Sequence, residues 1–137
     1  QHVQATLAAF AAILADGSAV TWGKSEAGGD SSAVQEQLRN VQHVQAAAGA
    51  FAAILADGSV VTWGDPAAGG DSSAVQEQLK NVQHVQATLA AFAAILADGS
   101  VVTWGLPEFG GDSTAVREVL KDVQHVQATT AGFAAIL

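Results

Sequence analysis

Apolar residues come in short blocks along this chain, each about the length of a strand. In residues 43–83, Val44-Gln45-Ala46 alternates, Phe51-Ala52-Ala53-Ile54-Leu55-Ala56 is continuously apolar, and Val60-Val61-Thr62-Trp63 is β-branched and aromatic. Alternation predicts a half-buried strand, and a continuous apolar run bounded by turn signals predicts a strand buried on both faces. Asp57-Gly58 lies between the second and third blocks. This is a hairpin signal, and the expected turn is type I′, with both residues at positive φ. Gly64 ends the third strand, and the Pro66 to Gly70 stretch reads as a loop. Asp71-Ser72-Ser73 then opens a segment in which Ser73 and Gln76 have capping-box spacing, ahead of Val75 and Leu79.

A competing reading exists for the Ala-rich stretch Gln4 to Ala15, which has high helix propensity and Gly17 as a C-terminal cap. Gly49 and Gly132 inside the equivalent stretches, and Thr129-Thr130, oppose a helix. The Asp-Gly-Ser that follows fits the middle of a hairpin better. Strands are therefore predicted for 10–15 with 19–22, 51–56 with 60–63, and 92–97 with 101–104.

The blocks recur with a fixed period. His2, His43, His84 and His125 are each 41 residues apart, as are Trp22, Trp63 and Trp104. Residues 2–42 match 43–83 at 33 of 41 positions, and 43–83 match 84–124 at 31 of 41, without insertions. The whole chain, 1–137, reads as one repeat domain with units 2–42, 43–83 and 84–124 and a partial unit 125–137. Repeats of this length stack, because one unit cannot bury its apolar face alone. Phe10, Trp22, Phe51, Trp63, Phe92 and Trp104 are the expected packing anchors, each burying a large apolar area. The chain begins at Gln1 and stops at Leu137 inside an apolar run. It is therefore expected to be a piece of a longer array, with the edge formed by residues 133–137 covered by continuing chain or by another protein.

The stretch from Val44 to Gly64, with Asp57-Gly58 and Val60-Val61-Thr62-Trp63-Gly64, resembles the repeat of the regulator of chromosome condensation family. Gly69-Gly70-Asp71 is similar to that family's glycine-rich loop. The resemblance implies an all-β fold of propeller-like blades, here a partial or open array. The short unit leaves Ala74 to Lys80 open between a fourth strand and a short helix. It also implies a role in protein–protein interaction.

Charge and chemistry narrow the function further. The net charge is −8, with only 5 Lys+Arg, so nucleic acid is not an expected partner. The longest apolar run, Leu7 to Ala15, is nine residues, too short to insert across a membrane. No cysteine is present, which removes thiol catalysis, disulfides and zinc–thiolate sites. The four His are copies of one surface point and are not expected to converge on a metal. Gly28-Gly29-Asp30-Ser31-Ser32 lacks the Lys of a phosphate loop and the alternating Asp ligands of a calcium loop. Hydroxyl, imidazole and carboxylate groups repeated in every unit point to folding rather than catalysis. No enzyme activity, cofactor or metal is expected, and nothing fixes a compartment.

Differences between units concentrate at 24–26, 65–68 and 106–109, with a second group at 47–49 and its equivalents. Leu106, Glu108 and Phe109 are the candidate partner contacts, because apolar residues in an exposed loop mark binding surfaces. The expected function is a non-enzymatic scaffold for protein–protein interaction. The alternative is a structural filler, a designed or recently amplified consensus repeat without a specific ligand.

Overall fold

The structure, a computed structural model, describes residues 2–137. Eleven strands form four small antiparallel sheets among the described residues: β1 (His2–Ala5), β2 (Ala9–Ile13) and β3 (Ala19–Gly23); β4 (Val41–Ala46), β5 (Ala50–Leu55) and β6 (Val60–Gly64); β7 (Val82–Ala87), β8 (Ala91–Leu96) and β9 (Val101–Gly105); and β10 (His125–Ala128) with β11 (Phe133–Ile136). The sheets follow one another in an open, blade-like row consistent with a partial propeller. The all-β expectation and the three hairpins hold. The Ala-rich stretch is extended despite its helix propensity, because Ala50, Ala52 and Ala53 are fully buried between neighbouring sheets.

Two local expectations are corrected. The Asp57-Gly58 turn is not type I′, because Gly58 alone has a positive φ (84°). Gly58 N–H donates to Leu55 C=O at 2.9 Å, and Leu55 N–H donates to Ser59 C=O at 2.9 Å. This is the hairpin in which a turn precedes a left-handed glycine bulge. Asp57 then accepts from the Ser59 amide at 3.0 Å and from its hydroxyl at 2.6 Å, which the notional I′ geometry did not require.

The segment after the third strand is a short 3-10 helix, Ser73–Gln78, rather than a strand. It carries no Ser73–Gln76 capping box. Instead Asp71 accepts from Ser73 N–H, and Ser72 Oγ donates to Gln76 Oε1 at 2.9 Å. Gln76 Nε2 in turn donates to Val60 C=O at 3.0 Å, and Thr62 Oγ1 lies 2.9 Å from Ser72 Oγ. This clasp ties the helical segment to β6. Residues 19–35 repeat it through Thr21, Ser31 and Gln35.

The core lies between sheets. Phe51 and Trp63 face each other across β5 and β6, with ring centroids 5.3 Å apart. Residues 27–28 of the preceding unit lie against them, and Trp63 Nε1 donates to Gly28 C=O at 3.1 Å. Phe92 and Trp104 repeat the arrangement, with Trp104 Nε1 donating to Gly69 C=O at 3.1 Å. Gly28 has φ 100°, and a Cβ there would sit 2.5 Å from the Phe51 ring. Only glycine allows both that backbone and that approach.

The aromatic pairs have the same sequence and different burial. Phe51, Trp63, Phe92 and Trp104 are buried, while Phe10 and Trp22 are 44% and 47% exposed. The Phe10–Trp22 pair still stacks at 5.5 Å, but no glycine loop of the described chain lies over it. Truncating Trp63 to Ala should therefore cost about 3–5 kcal/mol through the cavity it leaves. Trp22→Ala should cost only about 1 kcal/mol, mostly the ring pair. Urea unfolding of the two variants checks this, and equal losses would contradict it.

Candidate interaction surfaces

Each hairpin turn of the Asp-Gly-Ser type lies at one end of its sheet. The β1–β2, β4–β5 and β7–β8 turns, and the loops leaving β3, β6 and β9, lie at the other end. This follows from the up-down-up order of each sheet. The two variable groups of the sequence therefore share one rim, and the invariant Asp-Gly-Ser turns occupy the opposite one.

Backbone hydrogen bonds join the variable groups. Lys24, Asp65 and Leu106 N–H donate to Ala8, Gly49 and Ala90 C=O, each at 2.9 Å. The Thr88 hydroxyl donates to Phe109 C=O at 2.8 Å, as Thr6 does to Ala27 C=O at 2.9 Å. In the second unit Ala47 has no hydroxyl for this bond. A ladder then runs across the units: Leu7 N–H to Ala48 C=O, Ala48 N–H to Leu89 C=O, and Leu89 N–H to Thr130 C=O, at 2.9–3.0 Å. The β-turn backbones form a continuous spine. The ladder bonds are made by main-chain groups and do not depend on the side chains, whereas the Thr6 and Thr88 hydroxyl bonds are lost where Ala47 stands.

Leu106, Glu108 and Phe109 sit on this rim. Pro107–Phe109 is one turn of 3-10 helix that Gly110 ends in the left-handed conformation, φ 97°. Glu108 is exposed, and Leu106 and Phe109 are partly so. At the equivalent of Leu106, Asp65 caps its turn by accepting from Ala67 N–H at 3.0 Å. Leu106 makes no such bond. Exchange of a capping Asp for an apolar residue gives up about 1 kcal/mol of local stability. Leu7 (85% exposed) and Leu89 (43%) add apolar surface along the same rim.

The four His are all exposed, and no group of three metal-ligating residues occurs among the described residues. No helix is long and apolar enough to cross a membrane.

The edge at residues 133–137, expected from the sequence to lack its hairpin partner, borders a second apolar surface. An apolar cleft of about 340 Å³ opens beside β11, lined by Ala93, Val116, Val119, Leu120, Phe133 and Ala135 among others. The available signal was Val119, which stands where the earlier units have Gln37 and Gln78. Its meaning needs the neighbouring sheet, which pattern alone does not place.

With this geometry established, comparison defines the class as an open β-repeat array. Human WBSCR16, an RCC1-like protein of solved structure, superposes on 99% of this chain with a TM-score of 0.66 and 15% sequence identity. The chain spans 44% of that protein's length. The likeness is one of fold. No family model matches the chain, and no curated protein does.

Aspartates in the turns carry lowered pKa values. Asp16, Asp57 and Asp98 are held below the usual aspartate pKa, first by the side-chain hydrogen bond from the following Ser and then by its amide. Asp30 and Asp71 are lowered in the same way by Ser32 and Ser73. A carboxyl with a folded pKa below its unfolded value stabilises the fold above the unfolded value of 3.8 and loses that contribution as pH falls through the folded value. The thermal midpoint should therefore fall as pH drops below about 4. A triple D16N/D57N/D98N variant should show a shallower acid decline in a pH-resolved melting series. An unchanged slope would contradict the role of these turns.

Proposed function

We propose that the chain is a non-enzymatic repeat scaffold for protein–protein interaction, related to the regulator of chromosome condensation family and acting within a larger chain or assembly. The observation that carries this reading is the segregation of sequence variation. Both variable groups fall on one rim over a backbone spine, and the opposite rim repeats Asp-Gly-Ser without change. Fixed frameworks with variable loops are how repeat proteins build distinct binding surfaces. The Asp-to-Leu exchange at Leu106 adds to it, because a capping residue gives way to an apolar one at a surface turn. A structural filler would leave this rim as monotonous as the other.

The partner is taken to be a protein. A chain of net charge −8 repels nucleic acid and anionic lipid. Leu106, Glu108 and Phe109 are the contacts, with two apolar groups and one carboxylate. A photoreactive amino acid placed at 106, 108 or 109 should give discrete adducts in the cells that make the protein. The same group at Asp57 or Asp98 should give none. Equal labelling from both rims, or none from 106–109, would overturn the reading.

A further inference from the structure

Three loops of the same main-chain course carry two different side-chain fastenings. Each leaves its sheet at residue 24, 65 or 106, makes one turn of 3-10 helix and ends on a left-handed glycine, Gly28, Gly69 or Gly110. In each, the first residue's N–H donates to Ala8, Gly49 or Ala90 C=O at 2.9 Å. Its C=O accepts from Gly29, Gly70 or Gly111 N–H at 2.8–2.9 Å. These bonds do not distinguish the loops, and the side chains do.

In the first and third units a hydroxyl from the turn between the first two strands holds the end of the loop. Thr6 Oγ1 donates to Ala27 C=O at 2.9 Å, and Thr88 Oγ1 donates to Phe109 C=O at 2.8 Å. Gly28 and Gly110 N–H close the same turns onto Ser25 and Pro107 C=O at 3.2 and 3.1 Å. The first residue of these loops, Lys24 or Leu106, makes no capping bond with its side chain. The second unit has the reverse. Ala47 offers no hydroxyl, and Asp65 caps the turn by accepting from Ala67 N–H at 3.0 Å. The two variable groups are thus exchanged together: Thr goes with Lys or Leu, and Ala goes with Asp. Each loop has one of the two fastenings and none has both. A cap and a buried hydroxyl bond are similar in strength, so one replaces the other without loss of order.

Burial divides the roles. Thr88 is 4% exposed, so its hydroxyl is shut off from water and committed to the carbonyl it meets. Lys24 and Asp65 are exposed with a complete unit following each, so exposure at this place is built into the repeat. We propose that Thr88 is a positioning residue for the interaction rim and Leu106 its specificity-determining residue. The Thr88 hydroxyl fastens the 106–109 turn, which releases position 106 from capping and leaves its side chain free to meet a partner. Asp65, committed to its own backbone, has no such freedom. The matching protein surface offers an apolar group to Leu106 and a hydrogen-bond donor or cation to Glu108. The proposal rests on the scaffold reading and deepens it.

The test reads loop order and contact separately, on the full chain. Amide exchange followed by nuclear magnetic resonance reads order. Thr88→Val keeps the side-chain volume and removes the hydroxyl, and should speed exchange at Phe109 and Gly110 N–H roughly fivefold, the scale of one net hydrogen bond. Thr88→Ser should exchange at the unsubstituted rate. Adding Leu106→Asp to Thr88→Val should restore that rate, because a cap replaces the hydroxyl. The swap also runs backwards in the second unit: Asp65→Ala should speed exchange at Ala68 N–H, and adding Ala47→Thr should restore it. Contact is read from adducts of a photoreactive amino acid at position 108, in the cells that make the protein. Leu106→Asp should lower their yield roughly tenfold with the loop still ordered, and Leu106→Met should keep it. Unchanged exchange in Thr88→Val, or failure of either swap to compensate, would overturn the positioning role. Undiminished adducts from Leu106→Asp would overturn selection by Leu106. No adducts from the unsubstituted loop, with exchange as expected, would overturn the scaffold reading and the role of Leu106 while the fastening by Thr88 stands.

Discussion

The fold depends on one contact made where successive units meet. A left-handed glycine lays its backbone on the aromatic ring of the next sheet, and its carbonyl receives that sheet's indole N–H. The contact needs three things at once: no side chain on the loop, a Phe to lie against, and a Trp at the right register across the strand pair. Phe51 and Trp63 meet that condition because they are direct cross-strand neighbours. Burial of each sheet then depends on the unit before it. This is why the strands, short and Ala-rich, do not need large side chains of their own: Ala50, Ala52, Ala91 and Ala94 fill the narrow space that closely stacked sheets leave.

That dependence separates what could be read from the chain alone from what could not. The strands were legible, because alternation, β-branching and the Asp-Gly turn are local properties. The turn type was not, since Asp-Gly suits both a two-residue turn and a glycine-bulge turn, and hydrogen bonding from Leu55 and Ser59 decides between them. Nor was the capping arrangement, because Gln76 reaches across to Val60 instead of back along its own segment. Burial was least legible of all. Phe10 and Phe51 share an Ala-Phe-Ala-Ala-Ile-Leu context, yet one is 44% exposed and the other fully buried. No reading of sequence confined to one unit can distinguish them, because the difference lies in the neighbour.

The candidate surfaces follow the same division. Leu106, Glu108 and Phe109 were found from variation between copies, and the structure joins their loop to the second variable group through Thr88 and Leu106 N–H. The edge at residues 133–137 was legible in the sequence as a strand without its hairpin partner, and the cleft beside it emerges from comparing junctions in space. Repetition gives that comparison its basis, since the chain contains two packed junctions of the same kind. Sequence divergence at Val119 is then intelligible as an apolar residue at a surface where the other junctions keep a Gln at the margin.

The central claim, that glycine loops seal the indoles of the following unit, has a direct observable in hydrogen exchange at the three indole N–H groups. Trp63 and Trp104 are bonded to Gly28 and Gly69 and buried, and Trp22 is half exposed. Exchange followed by nuclear magnetic resonance should show two protected indole resonances and one that exchanges rapidly. Three indoles exchanging at a common rate would contradict the account.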